Sequence, residues 1–401
     1  MTAQKDTKSG NHWIQLFIIL FAISSSTIAM FKVATVMDSL MAEFSLNAAQ
    51  GGLITSIFSV VPIFLAIPVG VIIARYGSWK VGLLGMSCVV IGSLIGIYSH
   101  SLTPLLVSRV IEGVAMAFFI NLGPYIVNNL FEPERRGTAM GILLSFISVG
   151  QFIVFAAAPS IVSATGGWRG VWWFTVVYAM VFIVIWALGL RRLDKGASDP
   201  GDKDEAAGEK IDVSLVLKNA DVWIITAAIL LYSISQQGAL SFISSFLTNG
   251  KGIDAAAASH ITSLIGIVGI FAMVISGTLS DKLRSRKWMT VILSLICGAV
   301  YFIFPQFPAG MAVAGIVLFS LSVNMIPSLY FLAIGEANDN PGGIALSTAI
   351  LTTGQFIGTF IGSILFGILL DKMGWTAAFD VFGVIIAANG ILFIFLRKVK
   401  R

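Results

Sequence analysis

Polar residues are sparse along this chain and fall mostly in short breaks between long, continuous apolar runs. Twelve such runs predict helices at about 13–39, 51–75, 80–98, 102–130, 138–163, 169–190, 221–249, 258–281, 287–305, 309–335, 343–370 and 374–396. A helix needs about 20 apolar residues to cross a bilayer, and each run meets that length. Barrel strands would be shorter and would alternate apolar with polar residues. A helix also keeps its backbone hydrogen bonds within the segment, as hydrocarbon requires. The pattern predicts an all-α membrane protein with twelve transmembrane helices.

One polar segment is long: 191–220, RRLDKGASDPGDKDEAAGEKIDVSLVLKNA, rich in charge, Gly and Ala. It divides the runs six and six and predicts a flexible linker between two six-helix bundles, 1–190 and 221–401. Composition agrees with the pattern: 57% of residues are hydrophobic and 11% charged, against roughly 25% charged in soluble domains.

The distribution of Lys and Arg sets an expected orientation. With the N-terminus cytoplasmic, 20 of the 25 lie on the cytoplasmic side, and Arg169, Lys251 and Lys372 lie outside. Lys32 and Arg109 are left within the membrane. Both termini are expected inside, and the +5 net charge reflects this asymmetry without implying nucleic-acid binding. The first apolar run is too long for a signal-peptide core and is expected to be retained. Cys88 and Cys297 fall in separate runs with no metal or redox spacing.

The halves resemble each other. At an offset of 207, Gly70 falls on Gly277, Lys80 on Lys287, Gly167 on Gly374 and Trp168 on Trp375, while GQFI recurs at 150–153 and 354–357 with an offset of 204. Two equivalently oriented units suit an axis along the membrane normal, with a binding site near the midplane between them.

The loops carry motifs similar to those of the major facilitator superfamily. GTLSDKLRSRK (277–287) resembles that family's G-x-x-x-D-[RK]-x-G-x-[RK]-[RK] loop, with Asp281 in place and Arg284 where a glycine is usual. GVIIARYGSWK (70–80) keeps Gly70, Arg75, Gly77 and Lys80 but has Ala74 at the acidic position. SRVIEGVAMA (108–117) resembles the R-x-x-x-G pattern through Arg109 and Gly113. Looser matches are FEPERRGTAMG (131–141), MDSLMAEFSLNAAQGGLITS (37–56) and GGWRG (166–170). The resemblance spans nearly the whole chain and implies the major facilitator fold, with Arg75, Asp281 and Arg284 latching a cytoplasmic gate. The branches that handle oxalate and formate, cyanate, nitrate or aromatic acids are the nearest analogues. GILLSFISVGQFIVFAAAP (141–159) lacks the G-x-x-x-G-P-x-x-G-G pattern of that family's proton-coupled drug antiporters.

A charge at a helix centre costs roughly 2.5–3.5 kcal/mol on insertion scales, so intramembrane charges tend to face a cavity or a partner. Lys32 is read as attracting an anionic substrate; the alternative is snorkelling toward Asp38. Arg109 has Glu112 at i+3, which suits a helical ion pair. Because Arg stays charged, Glu112 is the expected protonation site of that pair, with Asp38 a second candidate. Gln151, Gln236, Gln237, Asn324 and Gln355 fall near the midpoints of their spans, and at least three of them are expected to contact substrate. A further tier comprises Ser24, Ser25, Thr27, Asn121, Tyr125, Tyr232 and Tyr330. Gly354, Gly358 and Gly362 form a small-residue seam for helix packing, and His260 is expected at a solvated helix end.

No phosphate-binding loop, H-E-x-x-H or Cys/His cluster is present, so no enzymatic activity, cofactor or metal is expected. The expected function is secondary active transport of a small, carboxylate-like anion by alternating access, with a coupling proton or counter-anion. Export of hydrophobic or cationic compounds, and a non-transporting receptor of the same fold, are the rivals. A monomer in a plasma membrane, of the bacterial inner-membrane type, is expected, with the lipid bilayer as its surroundings.

Overall fold

The computed structural model describes residues 3–65, 68–190, 213–283, 285–338, 341–397 and 399. Among them, eleven helical runs are long and apolar enough to cross a membrane. The first set is α1 (Ala3–Thr35), α2 (Ala48–Ser56, continued by Val60–Leu65), α3 (Ser78–Ile97), α4 (Leu102–Leu130), α5 (Phe146–Thr165, preceded by Pro133–Leu144) and α6 (Arg169–Gly189). The second set is α7 (Ala220–Ser245), α8 (Ala255–Leu283), α9 (Arg286–Ile303), α10 (Ala312–Asn324, continued by Pro327–Glu336) and α11 (Pro341–Phe393).

At 53 residues, a straight α11 would measure about 80 Å, more than twice the hydrocarbon thickness. It folds back instead. Gly374 has φ 78° and ψ −179°, a conformation glycine adopts without steric cost. The ring of Phe366 lies 5.2 Å from that of Phe379 and 5.0 Å from that of Phe382. The run is therefore two packed arms, 341–373 and 375–393. Of the expected linker, 191–212 lies outside the described residues, and Val213–Lys218 is helical with Val216 buried.

Two ends of the bundle can be distinguished. The terminal face carries the chain start, the breaks near 77, 132 and 285, and the chain end; the loop face carries the breaks near 45, 99, 167, 252, 307 and 374. Within the first set, α3 packs on α4 and α6, and α1 on α5. Within the second, α7 packs along α11.

The two sets meet through α2 against α11 and α5 against α8. A Cβ on Gly52 would lie 2.2 Å from the Ser363 carbonyl oxygen, and one on Gly367 would lie 2.3 Å from that of Ala48. Only glycine permits this backbone approach. Beside it, Asp371 accepts from the Ala48 and Ala49 N–H groups at 3.0 Å each, so an acid of the second set caps α2 of the first. Such a carboxylate is favourably placed against the positive end of the helix dipole. Ser259 of α8 adds a bond to the Phe155 carbonyl of α5 at 2.8 Å. These contacts hold the sets together toward the loop face.

The two GQFI segments occupy equivalent places. A Cβ on Gly150 of α5 would meet Thr27 and the Ser24 carbonyl of α1, and one on Gly354 of α11 would meet Thr226 of α7. Large apolar side chains such as Phe64 and Leu188 are exposed on the outside of the bundle.

Candidate functional site

The intramembrane charges named above lie together. Lys32 Nζ donates to Glu112 Oε1 at 2.5 Å and to Ser93 Oγ at 2.9 Å. Ser93 Oγ in turn donates to Glu112 Oε1 at 2.6 Å. Arg109 Nη1 donates to Glu112 Oε2 and, at 2.6 Å, to the Ala29 carbonyl. Its other nitrogens reach the Met30 carbonyl at 3.2 Å and the Ile54 carbonyl at 3.3 Å. Lys32 Nζ sits 4.5 Å from the centre of a Trp172 ring, and the Arg109 guanidinium 4.9 Å from the centre of the Phe58 ring. Lys32, Arg109 and Glu112 are fully buried.

Helix geometry explains half of this arrangement. Arg109 and Glu112 share one face of α4 at i+3, and small residues let the neighbours close in: a Cβ on Gly92 of α3 would lie 2.6 Å from Glu112 Cγ, and one on Gly96 would lie 2.4 Å from Trp172 Nε1. The partner of Lys32 is Glu112; Asp38 is half-buried in the next helix, Met37–Phe44. Ser93 and Trp172 were not foreseen from sequence. The Gly92-x-x-x-Gly96 spacing on α3 was the available signal for a close helix approach there.

A second group is drawn from the buried polar atoms without a hydrogen-bond partner among the described residues, others of which, such as Ser56 Oγ, Ser59 Oγ and Ser108 Oγ, lie elsewhere: Thr27 Oγ1, Gln151 Nε2, Ser233 Oγ and Gln355 Oε1. They fall into two pairs. Thr27 and Gln151 belong to the α1–α5 seam, and Ser233 and Gln355 to the α7–α11 seam. A buried polar group left unsatisfied costs roughly 1–3 kcal/mol, so two pairs on corresponding seams, with the repeat glutamines Gln151 and Gln355 in each, invite a ligand or water.

The other candidates are placed as follows. Asn324 Nδ2 donates to the Ser320 carbonyl at 3.0 Å and Oγ at 3.1 Å. Gln237 Nε2 reaches Ser241 Oγ at 3.3 Å, and Gln236 is half-buried. Tyr330 is fully buried and donates to Asn389 Oδ1 at 2.5 Å, while Tyr232 donates to the Val323 carbonyl at 3.1 Å. Both hydroxyls are thus engaged within the second set. Asn121 donates to the Ala117 carbonyl at 3.1 Å, and Tyr125, a turn further along α4, is half-buried. Ser24 Oγ bonds Tyr178 OH at 2.8 Å, and Ser25 donates to the Ala22 carbonyl. Of the expected gate, Arg75 is exposed with its guanidinium 5.5 Å from the centre of the Tyr76 ring, Asp281 lies in the last turn of α8, and Arg284 lies outside the described residues. His260 is exposed near the start of α8.

At the loop face, Glu43 accepts from Trp168 Nε1 at 2.5 Å and from Arg169 at 2.7 and 3.1 Å. The Arg169 guanidinium holds the Glu43 carboxyl below its ordinary range.

This helical arrangement, two sets of membrane-length helices meeting through α2 against α11 and α5 against α8, is that of a multi-pass membrane protein. The sequence profile of the Major Facilitator Superfamily matches residues 17–347, and the chain belongs to that family. The zebrafish (Danio rerio) Protein spinster homolog 3 is 24% identical over 76% of the chain and 63% of that protein. The Hexuronate transporter of Bacillus subtilis is 24% identical over 83% of the chain and 82% of that protein. Among solved structures, a bacterial homolog of the human lysosomal transporter Spinster, in an inward-facing and unoccupied conformation, superposes with a TM-score of 0.75 at 18% identity, covering 96% of this chain and 95% of that one. A D-xylose-proton symporter superposes with a TM-score of 0.77 at 14% identity, covering 96% and 97%. The chain is a transporter of this family and not an enzyme.

Proposed function

We propose that this transporter moves a small carboxylate-bearing anion by alternating access between two six-helix bundles, with twelve membrane spans once the two arms of α11 are counted separately. The observation that carries this reading is the two orphan couples on corresponding seams, Thr27 with Gln151 and Ser233 with Gln355, in which the glutamines are the repeat equivalents. Carboxamides and hydroxyls offer both donors and acceptors, and a carboxamide can turn to present either. A carboxylate with neighbouring hydroxyls matches such a set. The hexuronate carried by one relative is a substrate of that kind.

Gln236, Gln237, Asn324, Asn121 and Tyr125 complete the proposed lining, and Lys32 and Arg109 supply a positive field from within the first bundle. The Lys and Arg asymmetry supports a cytoplasmic terminal face. The loop-face closure by Asp371, Gly52, Gly367 and Ser259 then corresponds to an inward-facing state. Arg75, Asp281 and Arg284 would latch the opposite side when the bundles rock. We place the protein in a plasma membrane of the bacterial inner-membrane type, as a monomer.

The test is thermal unfolding of the purified protein with uronates, mono- and dicarboxylates, neutral sugars and hydrophobic cations. A ligand bound only by the folded state raises the melting temperature. A carboxylate is expected to do so in the wild type, with the shift lost in Gln151→Ala and Gln355→Ala. Stabilisation by cations alone would replace this reading with efflux.

A further inference from the structure

The buried cluster has an odd charge count. Lys32 and Arg109 bring two cations and Glu112 one carboxylate, all with no exposure to solvent. Arg109 keeps its proton under all ordinary conditions, and four of its contacts are to oxygens: Glu112 and the carbonyls of Ala29, Met30 and Ile54. Glu112 accepts from three donors, Lys32, Ser93 and Arg109. Protonating it would set two of these donors against an O–H group. The Arg109–Glu112 pair is neutral by itself, so the excess charge of the cluster is the proton on Lys32.

Among the described residues, the surroundings offer no other acid to balance it. At this depth α3 and α6 bring Ser93 and Trp172 against Lys32, α2 brings Phe58 against Arg109, α5 brings Phe155 against Phe31 of α1, and α4 brings Arg109 and Glu112. Asp38 and Glu43 lie beyond the end of α1, and Asp221 of α7 sits at the terminal face beside the Arg397 N–H. A lone excess charge in a low-dielectric site is costly and is relieved by losing the proton or by gaining an anion nearby.

We propose that Lys32, rather than Glu112, carries the coupling proton: its ammonium forms as an anion enters the seam beside α1 and is given up when the anion leaves. This rests on the anion-transport reading above. In the release step the N–H bond breaks with its electron pair remaining on Nζ, and the proton passes to water. The amine left behind still donates to Glu112. One proton is thus taken up with one negative charge, so a monoanion crosses with no net charge on the bundle.

The experiment follows Trp172, whose ring faces Lys32 Nζ, by fluorescence during a pH titration of purified protein without substrate. The signal is isolated as the difference from Trp172→Phe. The wild type is expected to titrate within the pH range over which it stays folded. The transition is expected to vanish in Lys32→Met and Lys32→Arg and to persist, moved to lower pH, in Glu112→Gln. Lys32→Arg preserves the charge and guards against a folding failure of Lys32→Met. A transition that survives both Lys32 variants and disappears in Glu112→Gln, or none in the wild type, would overturn the proposal.

Carboxylate affinity measured across the same pH range separates the two ideas. In the wild type it should weaken about tenfold per pH unit above the transition, as one-proton linkage requires, and in Lys32→Arg it should be flat. Binding that is flat in the wild type overturns the Lys32 role while leaving anion transport in place. A Lys32-dependent transition in a protein that binds no carboxylate upholds the proton site and removes the anion reading.

Discussion

Glu112 is the acceptor on which the first bundle's ionic core depends, because it is the carboxylate that both Lys32 and Arg109 address. Replacing it with Ala leaves the Arg109 guanidinium buried with no carboxylate beside it, a change of the kind that costs roughly 3–5 kcal/mol. Lys32→Met instead leaves the neutral Arg109–Glu112 pair. Thermal unfolding in detergent should therefore rank Glu112→Ala well below Lys32→Met; equal melting temperatures would contradict the charge count. A second residue-scale expectation concerns Glu43. Its carboxyl is held low in the folded state by Arg169, so its contribution is present at neutral pH and is lost as pH falls through that lowered value. Glu43→Gln should lower stability at pH 7 and close the gap to the wild type in acid, as read by melting temperature against pH. Sequence alone marked Lys32, Arg109 and Glu112 as buried charges, since charge within an apolar run is conspicuous. It paired only Arg109 with Glu112, because i+3 is a local relation, whereas Lys32 meets Glu112 across 80 residues of chain.

Among the elements, the contact of α2 with the first arm of α11 is the one that closes the loop face. Its ingredients are the backbone approach at Gly52 and Gly367 and the cap that Asp371 places on Ala48 and Ala49. A helix cap is worth about 1 kcal/mol, roughly a fivefold change in a population ratio. Spin labels at Ala42 and Met373, both exposed and one in each bundle, should show a larger share of long distances in Asp371→Ala than in the wild type. An unchanged distribution would mean that the cap does not bias the gate. Helix positions were largely legible, since each span is a long apolar run. Breaks inside such runs were not. The predicted span 13–39 hides the end of α1 at Thr35 and the new helix from Met37, because apolar residues continue through the bend. The reversal near Gly374 was legible from Asp371, Lys372 and the Gly374–Trp375 pair that repeats Gly167–Trp168. Asp371 itself was passed over, since a loop acid gives no local sign that it caps a helix of the other bundle.

For the molecule as a whole, the repeat offset seen in GQFI reappears as matched seams, with Thr27 and Gln151 on one side and Ser233 and Gln355 on the other. The ionic cluster has no such counterpart. At the offset of 207, Ala239 stands at the position equivalent to Lys32, and Ile316 and Phe319 at those of Arg109 and Glu112. One bundle therefore carries the charge chemistry while both contribute polar contacts, a division of labour that a proton-coupled anion transporter can use. The most direct measurement is uptake of a labelled uronate or other small carboxylate into liposomes containing the purified protein, with and without an imposed pH gradient. The account predicts accumulation driven by the gradient, abolished in Gln151→Ala with Gln355→Ala, and reduced to gradient-independent exchange in Lys32→Arg. Carboxylate uptake indifferent to both glutamines, or no carboxylate uptake alongside transport of cations, would contradict it.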